Sequence, residues 1–394
     1  MDKNLEKKVT AAVARHFETA KNLSDDLWAH PELSGVEYES SKKIVEILNN
    51  AGFAVEYPYL GFPTAFNAVI KNGEGPSVAL LVEYDALPDI GHACGHNLHG
   101  ALSVLAGAAL SELKDEFKGT LYVVGTPAEE QDGAKVGMAD KGVFDDMALV
   151  AMMHCAAGGA CQPDMDALSL RSYAVTFNGQ PAHAAGAPWE GHSALAAARK
   201  FLDLIDARRE CFTPDIRVNA IITDGGRAPN IIPKRAEVRV EFRTDSMRKL
   251  EKLDDVILKC AKGAAMALDC EVSWGKTGAD FADMIRVRVL EDEVAQILAE
   301  KGMKVEAVPP AAGSTDVGNV SYRCPSIQPM ICISDEPFVW HTTEFADATK
   351  TPQAHEAMKT GAETLALLAL RVLNDDAFRK EVQSEFVRSR DAKL

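Results

Sequence analysis

Three things are missing from this chain of 394 residues: cysteines at CxxC spacing, an apolar run of membrane-spanning length, and a surplus of positive charge. The eight cysteines (Cys94, Cys155, Cys161, Cys211, Cys260, Cys270, Cys324 and Cys332) are scattered, which excludes zinc ribbons and thioredoxin-like motifs. The segment from Met1 to Phe17 is charged and amphipathic, so neither a signal peptide nor a membrane partner is expected. A cytoplasmic, reducing location is the expectation, with most cysteines acting as small buried hydrophobes. The net charge of -16 argues against nucleic acid as a partner, since that ligand favours clustered Lys and Arg. The HxE and PCxxC signature of zinc deaminases is also absent. There are no internal repeats and no low-complexity linkers.

What is present is an ordinary globular composition, 47% hydrophobic and 25% charged, in a chain long enough for two domains. Helical periodicity covers 3–24, with Ser24-Asp25-Asp26 and Pro31 as punctuation. A second helix-like segment runs from Ser41 to Asn49. Strand patterns occupy Ala65–Ile70, Val78–Val82, Thr120–Val124 and the short run Ala148–Met153, with an apolar helix from Leu98 to Leu113. Alternating strands and helices indicate an α/β sheet of mostly parallel strands, with helices on both faces. From Leu168 the rhythm becomes β-α-β-β-α-β: Leu168–Phe177, Ser193–Arg208, Val218–Thr223, Ala236–Arg243, Ser246–Leu268 and Cys270–Trp274. That order is expected of an inserted ferredoxin-like module. Helices follow at Val289–Lys301 and Thr351–Asn374. The expected division is 1–167 with 285–394 as one domain and 168–284 as the second.

The chemistry concentrates where apolar runs end, which is where open α/β sheets form sites. Asp85, Glu129-Glu130 and His154 each lie just past such a run. The segment Gly91-His92-Ala93-Cys94-Gly95-His96-Asn97-Leu98-His99 adds a thiol and three imidazoles. A sulfur, imidazoles and carboxylates from dispersed positions suit a catalytic divalent metal. Alone, each signal is weak. An isolated C-G-H triplet is more often core or helix cap, adjacent glutamates are usually a solvated pair, and His154 or His341 alone would be a satisfied histidine. In a metal site the glutamates could divide labour, one binding metal and the other moving the proton of an attacking water. For His92 and His99, support of the site and ordinary packing both stay open. His16 and His355 read as helix-face residues, His192 as lying near a helix start, and Lys249–Asp255 as a solvated helix face.

Taken in order, the segments HPELSGVEYESS, EYDALPDIGHACGHNLHGA, GTPAEEQDGAK, GQPAHAAGAPWEGHSAL, GGRAPNIIPKRAEV, GSTDVGNVS and HTTEFA resemble the aminoacylase/carboxypeptidase-type dinuclear metallopeptidases of peptidase family M20. The resemblance spans nearly the whole chain. It is strongest to the amidohydrolase branch holding aminobenzoyl-glutamate hydrolases and basic-dipeptide dipeptidases. It implies two divalent ions per subunit, Mn²⁺ or Zn²⁺, bridged by the Cys94 thiolate. Glu130 and His341 would complete one metal site, and His96 and His154 the other. Glu129 would be general base and acid, and Asp85 would orient an imidazole ligand. The inserted module would be a lid that also makes a homodimer contact. His183 would reach the partner subunit's site to stabilise the oxyanion, and Asn230 and Arg243 would contact the substrate. The implied reaction is hydrolysis of the amide bond of a small N-acyl amino acid, aminobenzoyl-glutamate-like or dipeptide substrate, by hydroxide from metal-bound water. The alternative is a catalytically silent binding protein on the same fold. Three departures from many relatives stand out: Asn97 in place of Asp, Glu83 in place of Arg, and the HTTEFA context of His341.

Overall fold

A computed structural model describes residues 3–394. The first half of the chain contains α1 (Lys3–Ala29), α2 (Tyr38–Asn50), β1 (Ala54–Glu56), β2 (Phe66–Asn72), β3 (Ser77–Val82), α3 (His96–Glu112), β4 (Gly119–Gly125), α4 (Ala134–Asp140), β5 (Leu149–Ala151) and β6 (His154–Ala156). A second group follows: β7 (Ser169–Asn178), α5 (Ala194–Arg208), β8 (Arg217–Asp224), β9 (Arg235–Thr244), α6 (Met247–Ala267) and β10 (Glu271–Lys276). The chain ends with α7 (Arg288–Glu300), α8 (Val317–Ser321), β11 (Ser326–Ile327), β12 (Met330–Cys332), α9 (Thr343–Ala348), α10 (Pro352–Asn374) and α11 (Asp376–Lys393).

The main sheet has the order β1-β2-β4-β3-β5-β11. From β4 to β11 the strands are parallel; β2 and β1 are added antiparallel at one side. The run VALLV in β3 is apolar throughout because both faces are covered. Val78, Leu80 and Val82 pack into a core with α1, α3 and α10, while Ala79 and Leu81 face a second core with Met138 and Phe144. Strands β3, β4 and β5 therefore end on one edge of the sheet. A two-stranded parallel pair, β12 and β6, lies beside it and starts with His154 opposite Met330.

The second group forms its own antiparallel sheet, ordered β10-β7-β9-β8. Its inward residues alternate, as in Tyr173, Val175 and Phe177, and pack under α5 and α6 with Phe201 and Ile257. The opposite face carries Arg235, Glu237, Arg239, Glu241 and Arg243 on β9.

Two readings of the sequence change. Helix α1 does not stop at Ser24 but continues to Ala29. Ser24 is buried on the helix's inner face, while Asp25 pairs with Lys21 and His355, and Asp26 with Lys43 and His30. Polar residues that look like a cap are here satisfied from neighbouring elements. The C-terminal helix α11, unread in the sequence, starts where Asp375 accepts from the Phe378 N–H at 2.9 Å.

Candidate metal centre

The turn between β3 and α3 brings Cys94 and His96 to the open edge of the main sheet. Gly95 makes the turn with φ 89°, and a Cβ there would sit 2.9 Å from Cys155 Cβ, so both conformation and space require glycine. Gly100 allows α3 to lie on β3, since its Cβ would meet Glu83 O at 2.1 Å. In the loop after β4, Ala128 adopts φ 60° where the chain turns into Glu129 and Glu130. Its N–H donates to Glu37 Oε1 at 3.0 Å, which ties that turn to a buried carboxylate. His341 has φ 63°, and its N–H donates to Ala93 O at 2.9 Å, fastening the far segment to the Cys94 turn.

The donor atoms then converge. One atom each from Cys94, His96 and His154 lie within 4.8 Å of one another, and so do atoms from Cys94, Glu130 and His341. Cys94 is common to both sets, with Sγ 3.4 Å from His154 Nε2. Glu130 Oε2 lies 3.6 Å from His341 Nε2. Glu129 Oε2 and Glu130 Oε1 lie 4.0 and 3.9 Å from His96 Nε2.

Asp85 organises this cluster from behind. Its Oδ1 faces His96 Nδ1 at 3.0 Å, and its Oδ2 accepts from the Glu130 N–H at 3.1 Å and from Ser34 Oγ at 2.7 Å. One carboxylate thus orients an imidazole and the backbone of a neighbouring ligand candidate. His96 Nδ1 carries the proton in that arrangement, which leaves Nε2 as the atom aimed into the cluster. His154 is fixed in the same way, with Nδ1 2.9 Å from Cys155 O. The Trp340 indole also donates to that carbonyl at 2.9 Å, holding the segment before His341 against β6.

The electrostatics fit cations. Glu83, Asp85, Glu129, Glu130 and Asp316 crowd this region, and the nearest permanent cation is Lys135. Buried carboxylates without partners are costly, so an excess of them calls for positive charge. Two atoms inside the cluster, His96 Nε2 and Glu130 Oε1, are buried without a hydrogen-bond partner. Burial raises the Glu129 carboxyl well above its usual range, and Glu83, Asp316 and Glu130 push the same way. Burial likewise raises the Cys94 thiol. It lowers His154 to about 3, helped by repulsion from His99. Divalent ions at these atoms would favour the thiolate, the carboxylate and the neutral imidazole together.

The remaining predicted residues lie elsewhere. His183 and Asn230 are exposed on the segments between β7 and α5 and between β8 and β9. Among the described residues, no hydrogen bond, ion pair or ring contact joins either to the cluster. His183 Nδ1 accepts from the N–H groups of Ala185 and Gly186 at 3.2 and 2.9 Å, so the neutral ring presents Nε2–H outward. Arg243 is held by Glu241 at 2.8 Å and reaches Ser314 Oγ at 3.3 Å, on the loop leading to Asp316. Asn97 turns away from the centre and donates to Thr349 Oγ1 at 3.1 Å and Ser24 Oγ at 3.3 Å. Its departure from the family pattern therefore concerns packing. Glu83 and His99 are buried directly behind the imidazoles, together with Lys135 and Asp316. The sequence marked Glu83 only as an unusual residue, and held no sign that Lys135 points inward.

The sequence pattern of peptidase family M20/M25/M40 matches residues 79–371. The chain belongs to this family. It is a metal-dependent enzyme that hydrolyses C–N amide or peptide bonds. Its relatives include the Xaa-Arg dipeptidase of Mus musculus, 32% identical over 401 residues, covering 97% of this chain and 92% of that one. The Xaa-Arg dipeptidase of Homo sapiens is 31% identical, covering 92% and 88%. One of the two subunit types of the p-aminobenzoyl-glutamate hydrolase of Escherichia coli (strain K12) is 27% identical, covering 92% and 91%. Among solved structures, a dinuclear metal-binding peptidase of the M20 family from Bacillus subtilis superposes with a TM-score of 0.70. That likeness, at 21% identity over 91% of this chain and 99% of the other, shows a shared fold. Among the described residues no helix is long and apolar enough to cross a membrane.

Proposed function

We propose that this M20-family enzyme hydrolyses a small dipeptide or N-acyl amino acid at a two-metal centre. Dipeptides ending in a basic residue are the first candidates, and aminobenzoyl-glutamate-like amides the second. The observation that carries the reading is the pair of donor sets sharing Cys94, with Glu129 beside both. The kinship with an Xaa-Arg dipeptidase supports the substrate class. Cys94, Glu130 and His341 would hold one ion, and Cys94, His96 and His154 the other; the mixed thiolate, imidazole and carboxylate set suits Mn²⁺ or Zn²⁺.

When bound, the ions supply Lewis acidity that acidifies water and polarises the scissile carbonyl. Glu129 accepts the proton of the attacking water at its carboxylate and delivers it to the departing nitrogen. Asp85 keeps the His96 ring in register. His183 Nε2–H serves as the oxyanion donor, brought in by the partner subunit of a homodimer. Asn230 and Arg243 bind the substrate, the guanidinium suiting a carboxylate. In this reading residues 1–167 and 285–394 form the catalytic domain, and 168–284 form a ferredoxin-like lid that also makes the dimer contact. The eight free cysteines agree with a cytoplasmic setting.

The test is a screen of Xaa-Arg, Xaa-Lys and Xaa-ornithine dipeptides, N-acyl amino acids and aminobenzoyl-glutamate, with Mn²⁺ or Zn²⁺ added. Turnover that is abolished by chelation and restored by metal is expected. Turnover surviving full metal removal would sink the mechanism, and no turnover on any of these amides would sink the substrate class.

A further inference from the structure

Beneath the centre lies a set of charged groups that this chemistry leaves unused. Lys135, on the first turn of α4, is wholly buried. Its Nζ donates to Glu83 Oε1 and to Asp316 Oδ1, each at 2.6 Å, and its N–H donates to Asp316 Oδ2 at 3.2 Å. Glu83 Oε2 in turn accepts from His99 Nε2 at 2.9 Å. With Nε2 protonated, the neutral ring keeps Nδ1 as an acceptor. The Cys155 N–H points at that atom from 3.4 Å. Cys155 directly follows His154 on β6, and the His99 ring lies 4.5 Å from the His154 ring and 5.0 Å from the His96 ring.

The result is an unbroken buried chain from Asp316 through Lys135, Glu83 and His99 to the backbone of β6. Both nitrogens of His99 are occupied by it. His99 is therefore a support rather than a ligand, although its donor atom lies within 4.8 Å of donor atoms on Glu83 and His96. The two ends of the chain matter. Lys135 lies on the first turn of α4, the helix that follows the Glu129–Glu130 turn, and β6 carries His154. These are two separate walls of the centre, joined by no covalent path shorter than the intervening elements. A buried ammonium persists only where its partners compensate it, so its placement here constrains both walls at once. Metal coordination tolerates only a few tenths of an ångström in ligand position.

We propose that Lys135 is a positioning residue, acting through Glu83 and His99 to fix His154 relative to the Glu129–Glu130 turn. The inference rests on the two-metal reading of the same centre. The experiment is titration of the purified metal-free protein with Co²⁺, read by binding affinity and by the visible ligand-field spectrum. In Lys135→Met, affinity should fall about 10–100-fold and the spectrum should shift. Adding His99→Gln to that variant should change little more, because the chain is already broken. A folded Lys135→Met with wild-type affinity and spectrum overturns the proposal, as does full additivity of the two substitutions.

Should Lys135→Met fail to fold, the neutral pair Glu83→Gln/Lys135→Met breaks the same chain without leaving an uncompensated charge between those two residues. It should show the same spectral shift, and a wild-type spectrum overturns the proposal. The two-metal reading fails separately, if the wild-type protein itself takes up no Co²⁺. The positioning role alone fails if wild type binds Co²⁺ and the variants bind it identically.

Discussion

The cluster at the sheet edge and the segments after β7 and β8 carry the two halves of the proposed chemistry, and they are built differently. In the cluster, the ligand candidates Cys94, His96, Glu130 and His154 are largely enclosed, and Asp85 and the Cys155 carbonyl hold two of the imidazoles in one orientation. His183 and Asn230 are exposed and joined to nothing in the cluster. Burial of this kind is worth its electrostatic cost only where the groups must be fixed before substrate arrives. Residues that must come to the substrate can stay at the surface until closure or a second subunit brings them in. Under the proposed reading, metal-ligand candidates that all come from one chain, with His341 exposed at the rim, and an oxyanion donor supplied by another chain are what that division of labour would produce.

The sharpest way to break the comparison is Glu129→Gln. If Glu129 moves protons and does not bind metal, kcat should fall about 10²–10⁴-fold. Metal content measured by atomic absorption should stay at the wild-type level. Loss of metal along with activity would move Glu129 from base to ligand and erase its separation from Glu130.

The exposed region is tested by His183→Ala, expected to lower kcat about 10²-fold with metal content intact. Mixing this variant with Glu129→Ala should restore partial activity, because one site of the heterodimer then keeps both groups. Proven heterodimers that stay inactive would count against action across subunits. An unchanged kcat would remove His183 from the chemistry altogether.

The contrast also explains what the sequence could and could not reveal. Cys94, His96, Glu129, Glu130, His154 and His341 could be read because each follows a recognisable apolar run or motif, and the motifs recur in family order. The main sheet was legible for a related reason: VALLV, a short run without a polar residue, fits a strand covered on both faces. Asn97 misleads because it is adjacent to a ligand candidate in sequence but follows it on the first turn of α3. Successive side chains on a helix point about 100° apart, so Asn97 faces α1 and Thr349. The role of Lys135 was invisible because a lysine at a helix start normally faces water, and only the tertiary placement of Glu83 and Asp316 turns it inward.

Asn97→Asp follows as a smaller effect. It would place a carboxylate against the Ser24 carbonyl and remove the Asn97 donor, at a cost of about 2–3 kcal/mol. Urea unfolding of the metal-free protein should register that loss, while Co²⁺ affinity changes less than in Lys135→Met. A larger change in metal affinity than in stability would return Asn97 to the centre.

The smallest effect concerns a buried carboxyl group that lacks the partners Lys135 has. Asp164 is fully buried; its Oδ1 accepts from the Met165 and Gln328 N–H groups at 2.8 and 2.9 Å, while Oδ2 has no partner. Burial raises its pKa from 3.8 to about 7. The folded state therefore favours the protonated acid, so its contribution to stability is fully present below pH 3.8 and is lost as pH rises through about 7. Asp164→Asn removes that dependence while keeping an oxygen to accept the two N–H groups. Between about pH 5 and pH 8 the Tm of the wild type should fall relative to the variant, by roughly 1–3 °C. Parallel curves would mean that Asp164 stays charged in the fold with a compensating partner, as Glu83 does beside Lys135.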